Sequence, residues 1–164
     1  MKINYLKFQK ELEIRQNIMY IYLANEIHST TGLQDGQILH IPFDAVENSN
    51  GNFLSFDSVN NGIKIGKNIN KVRVTTKVLF DGSSYQIESP VVGIIIQKNT
   101  YQLLYQTLQR VRNTDYQQVE METVLDVTQG DLIYVDFRSV AIGQQDITIN
   151  SGRGNTYLIV EAIC

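Results

Sequence analysis

Residues that cross-link a chain are nearly absent from this sequence. Its 164 residues include a single cysteine, Cys164. One cysteine cannot form an intrachain disulfide, and it excludes a zinc site built on paired thiolates. A domain of this length buries roughly two thirds of the surface of its unfolded chain, so it needs no such staple. We therefore expect one ordinary domain held by a hydrophobic core.

The sequence also has no large excess of charge of either sign and no long apolar run. There are 14 Lys and Arg against 17 Asp and Glu, a net charge of −3, and no basic run. Nucleic acid needs a concentrated basic patch, so we do not expect it as a partner. No uncharged apolar run approaches the roughly 20 residues that cross a bilayer. The charged opening MKINYLKFQKELEIRQ also lacks the apolar core of a signal peptide. We expect neither membrane insertion nor a signal peptide.

The first 31 residues differ in composition from the rest of the chain. All 11 glycines and both prolines fall from Gly32 onward. Spacings of 4 or 7, as on one helical face, separate Phe8, Leu12, Met19, Leu23 and Ile27. The same segment also fits the alternation of apolar and polar residues that is typical of a strand. The apolar side would then carry Leu12, Ile14, Ile18, Tyr20 and Tyr22. The absence of a helix breaker favours the helix. We predict a helical stem or docking segment at residues 1–31 and a head domain at residues 36–164.

From Gly36 onward the sequence has short alternating segments, which are typical of a sandwich or barrel. The clearest segment has Arg73, Thr75 and Lys77 on a polar side, so its strand has one wet and one dry face. The dry side carries Val72, Val74, Thr76, Val78 and Phe80. The predicted strands are 38–43, 53–56, 63–65, 71–80, 91–97, 101–108, 119–125, 132–137, 147–150 and 157–163.

Glycine and asparagine, which tolerate positive φ, punctuate these strands. The predicted turns are 48–51, 60–62, 81–83, 130–131 and 151–154. No periodic run of helix length interrupts them, which excludes a parallel α/β sheet. The pattern therefore predicts an all-β fold of about ten short strands, a sandwich or a barrel.

Motifs for enzyme chemistry are sparse. Nucleotide-binding and acyl-transfer motifs are missing, and His28 and His40 lack a metal-binding context, so both are interpreted as surface or packing residues. Glu120 and Glu122 lie two apart on a predicted strand and share one face, and paired carboxylates can hydrolyse glycosides. The alternative is a solvated face, or a contact with Arg and Lys of a neighbouring strand or subunit. We favour that alternative and expect no enzyme.

Aspartates are dense in the next segment, at Asp126, Asp131 and Asp136. Carboxylates suit calcium, but no loop supplies ligands at the spacing of a calcium-binding hand. Calcium is therefore the one cofactor to test, and no other is expected.

A mixture of aromatic and planar polar residues around a strand–loop–strand junction is the candidate ligand site. Rings stack on the apolar faces of sugars, and Arg and carboxylate groups bond sugar hydroxyls. The same mixture suits a subunit interface, where Tyr and Arg are enriched. The candidate residues are Tyr101, Tyr105, Arg110, Arg112, Asp115 and Tyr116.

Three stretches carry a resemblance to a known family. They are VLDVTQGDLIYV at 124–135, TYLIVEAI at 156–163 and GIKIGKNINKVRV at 62–74. The first resembles the strand, Gly-Asp turn and strand of the C1q and tumour-necrosis-factor jelly-roll, and the second resembles its final core strand. The third resembles versions found in phages and prophages of low-GC Gram-positive bacteria. The resemblance covers residues 36–163 and implies a ten-stranded jelly-roll that assembles as a homotrimer.

The resemblance also implies a function. In phage and prophage versions the jelly-roll is the head of a trimeric fibre or baseplate protein, made in the bacterial cytoplasm and located in the virion. The leading hypothesis is a head that binds a host cell-wall polysaccharide or another surface glycan, with the N-terminal segment binding other virion proteins. One alternative is a decoration or adaptor subunit without sugar binding, whose head would stay folded after deletion of residues 1–31. The other is a glycan hydrolase using Glu120 or Glu122.

Overall fold

The computed structural model describes residues 17–29, 38–48, 53–82, 87–97, 102–108, 116–141 and 147–163. Within these ranges the regular secondary structure consists of β-strands alone. The thirteen strands are β1 (Ile18–Tyr22), β2 (Ile27–Ser29), β3 (Ile38–His40), β4 (Ala45–Asn48), β5 (Leu54–Asp57), β6 (Gly62–Ile65), β7 (Lys71–Gly82), β8 (Ile87–Gln97), β9 (Gln102–Leu108), β10 (Tyr116–Asp126), β11 (Leu132–Ala141), β12 (Ile147–Ile149) and β13 (Tyr157–Ala162). All ten predicted strands are present, and β1, β2 and β4 are additional.

The strands form two antiparallel sheets. The seven-stranded sheet has the order β2-β12-β7-β13-β1-β4. The additional strand β10 pairs with the edge of β7 that lies opposite β13. The six-stranded sheet has the order β5-β6-β11-β8-β9, and β3 lies beside the edge of β11 that also pairs with β6. This arrangement confirms the predicted all-β sandwich.

Alternating side chains from both sheets fill one core between them. In β7 the predicted dry face is completely buried, whereas Arg73 is exposed and Thr75 and Lys77 are half-buried. From the other sheet, Ile133, Val135 and Phe137 point into the same core, where the Phe137 ring lies 5.0 Å from that of Phe80. The remaining large members include Met19, Ile21, Leu23, Ile41, Phe43, Ile63, Ile65, Leu125 and Leu158.

The helical prediction is wrong for the described part of the N-terminal segment. Residues 18–22 form a strand that lies between β13 and β4. The competing alternation named the right element but the wrong face, because Met19, Ile21 and Leu23 are buried, whereas Ile18, Tyr20 and Tyr22 are half-buried. Backbone bonds to two neighbouring strands and a period-2 apolar face outweigh helix propensity here. The described residues 17–29 are therefore built into the sandwich, and residues 1–16 lie outside the described residues.

Several predicted turns have the backbone conformation that their residues allow. Positive φ angles occur at Asn61 (50°), Gly130 (92°) and Gly152 (118°), all in predicted turns. Asn68 also has a positive φ, at 63°, in a turn between β6 and β7 that we did not predict. Asp81 and Gly82, expected in a turn, instead end β7. Over the described ranges, we find no helix whose length and apolar character would suit a membrane crossing.

Candidate functional site

The predicted ligand site falls largely outside the described residues. Tyr101, Arg110, Arg112 and Asp115 are outside them. Tyr105 lies in β9, opposite Ile94 of β8, and Tyr116 begins β10, opposite Asp81 of β7. These two strands belong to different sheets. Grouping of the six side chains therefore stays a prediction.

A cluster of tyrosines lies on the outer face of the seven-stranded sheet. In β1 and β13 the residues alternate, so that Tyr20, Tyr22, Tyr157 and Ile159 point away from the core and are half-buried. The antiparallel register places Tyr20 opposite Ile159 and Tyr22 opposite Tyr157. The rings of Tyr20 and Tyr157 stack with centroids 5.5 Å apart, and those of Tyr20 and Tyr22 are 6.1 Å apart. We call these four residues the tyrosine face.

An arginine and a glutamate border the tyrosine face. The Tyr20 hydroxyl donates to the backbone carbonyl of Arg153, whose guanidinium lies 5.7 Å from the Tyr20 ring centroid and pairs with Glu47 of β4. Burial raises the pKa values of Tyr20 and Tyr157, so both phenols stay protonated near neutral pH. The site thus combines three rings, neutral hydroxyls and a cation that is 70% exposed.

The paired glutamates of β10 contact cations on β7. Glu120 lies 3.8 Å from Nζ of Lys77, and Glu122 lies 3.8 Å from Nε of Arg73. Arg73 also donates to Glu161 of β13 at 3.2 Å, so it joins three neighbouring strands. These contacts match the structural alternative given for the two glutamates, a contact with Arg and Lys of a neighbouring strand.

The three aspartates do not converge on a common site. Asp126 pairs with Lys71 at 3.6 Å. Asp131 is buried and accepts bonds from the backbone and hydroxyl of Thr128, at 2.8 and 3.0 Å, which closes the predicted Gly-Asp turn. Asp136 binds His40. Across the described residues, no group of three or more His, Cys, Asp or Glu side chains could hold a metal.

His40 is a connector between three elements of the six-stranded sheet. Its Nδ1 lies 2.8 Å from Asp136 Oδ1 on β11, and its Nε2 lies 2.8 Å from the carbonyl oxygen of Asn60. Its ring meets Tyr134 edge-on, with centroids 4.6 Å apart. The bond to Asp136 raises the pKa of His40, burial lowers it, and the bond to Asn60 raises it further, with a net rise above 6.5. His28 lies in β2, opposite Thr148.

Sequence reasoning missed the tyrosine face because it brings together the first and last strands of the described chain. The strand IMYIY and the strand YLIVEA each alternate, and that pattern alone could have placed the tyrosines opposite the buried residues. Tyr20 and Tyr157 are 137 residues apart (157 − 20), so no local sequence pattern could show that their rings stack.

Comparison with known proteins identifies the fold. No family model matches the chain, and no sequence relative was found among curated proteins. The crystal structure of murine APRIL at pH 5.0 is similar, with a TM-score of 0.66 and 11% identity over 89% of this chain and 98% of that one. The structure of Eiger TNF from S. frugiperda has a TM-score of 0.65 and 8% identity over 90% of this chain and 92% of that one. The chain therefore has a TNF-like jelly-roll fold, as the resemblance implied.

Proposed function

We propose that this chain is a homotrimeric attachment head, carried on the fibre or baseplate of a phage or prophage virion, that binds a saccharide on a Gram-positive host. The observation that carries the proposal is the tyrosine face. It is an outer sheet face bearing three tyrosine rings and an arginine. Tyr and Arg are the residue types enriched where subunits meet.

Both edges of this sheet expose charged side chains, which suits a closed ring of copies. Along β10, Glu120 and Glu122 are 56% and 64% exposed, and at the opposite edge the exposed Arg153 lies against β4. In a cyclic trimer each subunit uses two different patches, one for each neighbour. A ring that brings the β10 edge of one copy to the Arg153 edge of the next adds contacts between opposite charges to the pairs that these side chains already form within one chain.

Three copies would compensate for weak individual saccharide sites. When several sites on one particle engage together, each further contact is intramolecular, and avidity exceeds single-site affinity by about 10² to 10⁴. The proposed sugar contacts are the six residues from Tyr101 to Tyr116, which combine rings with Arg and Asp. Attachment to other virion proteins is assigned to the segment before β1, residues 1–16.

Binding to a panel of purified cell-wall polysaccharides from low-GC Gram-positive bacteria tests the proposal. We expect the full chain to bind at least one of them, and Tyr105→Ala with Arg110→Ala to weaken binding at least about tenfold, the equivalent of ~1.4 kcal/mol. Ser55→Ala with Lys67→Ala, both at exposed positions, is the matched control, which should keep binding, whereas the double glutamine variant Glu120→Gln with Glu122→Gln tests the hydrolase.

Three outcomes would decide among a saccharide-binding head, a decoration or adaptor subunit and a glycan hydrolase. A trimer that binds no polysaccharide would contradict the saccharide proposal and favour the decoration or adaptor subunit. Release of reducing ends, lost in the double glutamine variant, would favour the hydrolase. Binding that survives Tyr105→Ala with Arg110→Ala would move the sugar site away from the predicted residues.

A further inference from the structure

His40 contacts the turn between β5 and β6, whose internal hydrogen bonds are made with Asp57. Residues 58–61 connect β5 to β6, and Asp57 accepts bonds from the backbone of Val59 and Asn60, both at 3.0 Å. The Asn60 side chain donates to the second oxygen of Asp57 at 3.1 Å. These bonds leave the Asn60 carbonyl free to accept from His40 on β3.

The geometry specifies the charge state of His40. A backbone carbonyl can only accept a hydrogen bond, so Nε2 must carry a proton to bond Asn60. An ionised carboxylate also only accepts, so Nδ1 must carry a proton to bond Asp136. Both bonds therefore exist together only in the imidazolium form. The neutral ring has one N–H and must give up one of the two contacts.

We propose that protonated His40 is a latch that ties the β5–β6 turn to β11, and that loss of its proton releases the turn. The turn carries Val59, an apolar side chain that is 86% exposed at its tip. Release would therefore change how a protruding apolar residue is held. This inference does not depend on trimer formation or on saccharide binding.

The carboxylate of Asp136 is the charged group that favours the imidazolium. Asp136 and Tyr134 contact the ring from β11, and Asp57 supports the Asn60 turn. Burial raises the pKa of Tyr134, so this phenol does not titrate with His40. The hydrogen bonds from Asn60 lower the pKa of Asp57, and the nearby Lys64 on β6 lowers it further, so Asp57 stays ionised.

The direction of the pH effect follows from the raised pKa. A group with a higher pKa in the folded protein than its ordinary 6.5 stabilises the fold fully below that value. The stabilisation is lost as pH rises through the folded pKa. The latch is therefore closed in mild acid and opens toward and above neutral pH.

Nuclear magnetic resonance of the full chain between about pH 5 and 8 tests the latch. We expect the His40 ring to titrate with a midpoint above 6.5, and the amide signals of Val59 and Asn60 to shift with the same midpoint. In Asp136→Asn both midpoints should fall together, because the carboxylate partner is gone. His28→Gln is the control for the other histidine and should leave the turn titration unchanged.

Two results would overturn the latch. One is a turn whose amide signals do not follow the His40 midpoint in the unmodified protein, a measurement that needs no variant. The other is a His40 midpoint that Asp136→Asn leaves in place.

Discussion

At the scale of single residues, a glycine permits the close approach of two strands. A Cβ atom on Gly62 would lie 2.6 Å from the backbone oxygen of Ile133, and 3.1 Å from a methyl carbon of Leu132. The first neighbour is backbone in a paired strand and cannot move aside without disturbing the ladder. The sequence predicted a turn at residues 60–62, but not that its glycine is required by the strand beside it.

Gly62→Ala should therefore destabilise the fold by about 1–3 kcal/mol, the usual cost of overpacking. Gly154→Ala is the matched control, because nothing lies within 4 Å of the added Cβ, and its effect should stay within about 0.5 kcal/mol. Urea unfolding of both variants measures the difference. Equal stability of the two would contradict this account of Gly62.

The Gly-Asp turn between β10 and β11 also rests on one side chain. The dipeptide itself indicated the turn, whereas burial of the Asp131 carboxylate and its bonds to Thr128 depend on packing that no dipeptide encodes. Asp131 therefore acts as a structural residue, which its place in a dense run of aspartates did not predict.

Asp131→Ala should cost about 1–3 kcal/mol, because it leaves the part-buried Thr128 amide without that acceptor. Thr128→Ala removes only the hydroxyl bond and should cost less. Thermal unfolding of the two variants provides the comparison. A larger loss from Thr128→Ala would show that the hydroxyl, not the carboxylate, closes the turn.

At the scale of elements, patterning predicted the strands that have one wet and one dry face. β7 alternates over residues 71–80 and β13 over its whole length, and the local pattern was sufficient to find them. β1 was missed because helical and strand spacings overlap in the same apolar residues, and what decides between them is pairing with a strand from the far end of the chain. Local propensity cannot report such a partner.

Deletions distinguish a docking segment from a core strand. Removal of residues 1–16 takes away none of the described strands, and we expect a folded head. Removal of residues 1–23 also takes away Met19, Ile21 and Leu23, whose burial contributes about 1.5–3 kcal/mol each. That sum is comparable with the ~5–15 kcal/mol that stabilises a domain.

The shorter deletion should unfold cooperatively at close to the full-length temperature, and the longer one should lose its cooperative transition. Circular dichroism during heating measures both. Retention of the transition after removal of residues 1–23 would mean that β1 is dispensable and that the stem extends further along the chain.

At the scale of the whole molecule, the sequence predicted the sandwich but not the tyrosine face. Alternation and turns define strands and predicted a sandwich or barrel, and the jelly-roll was implied by the family resemblance of three stretches. The order of strands within each sheet depends on contacts between distant residues, and the tyrosine face exists only because β1 pairs with β13. The predicted ligand residues were chosen from one contiguous segment, and such a choice cannot find a surface assembled from both ends of the chain.

Assembly through the tyrosine face should be sensitive to a charge placed at its centre. Ile159 lies between Tyr20 and Thr75 in the register, so Ile159→Arg would put a cation among the rings that are to meet another copy. Ser55→Arg adds the same charge at an exposed position on β5 of the other sheet. Only the first variant should dissociate.

Light scattering coupled to size exclusion tests the central claim most directly, since it gives the mass of the assembly in solution. We predict three times the chain mass of 18.7 kDa for the unmodified protein and for Ser55→Arg, and one chain mass for a folded Ile159→Arg. A monomeric unmodified protein would contradict the trimeric head, and a trimer that survives Ile159→Arg would contradict the tyrosine face as its interface.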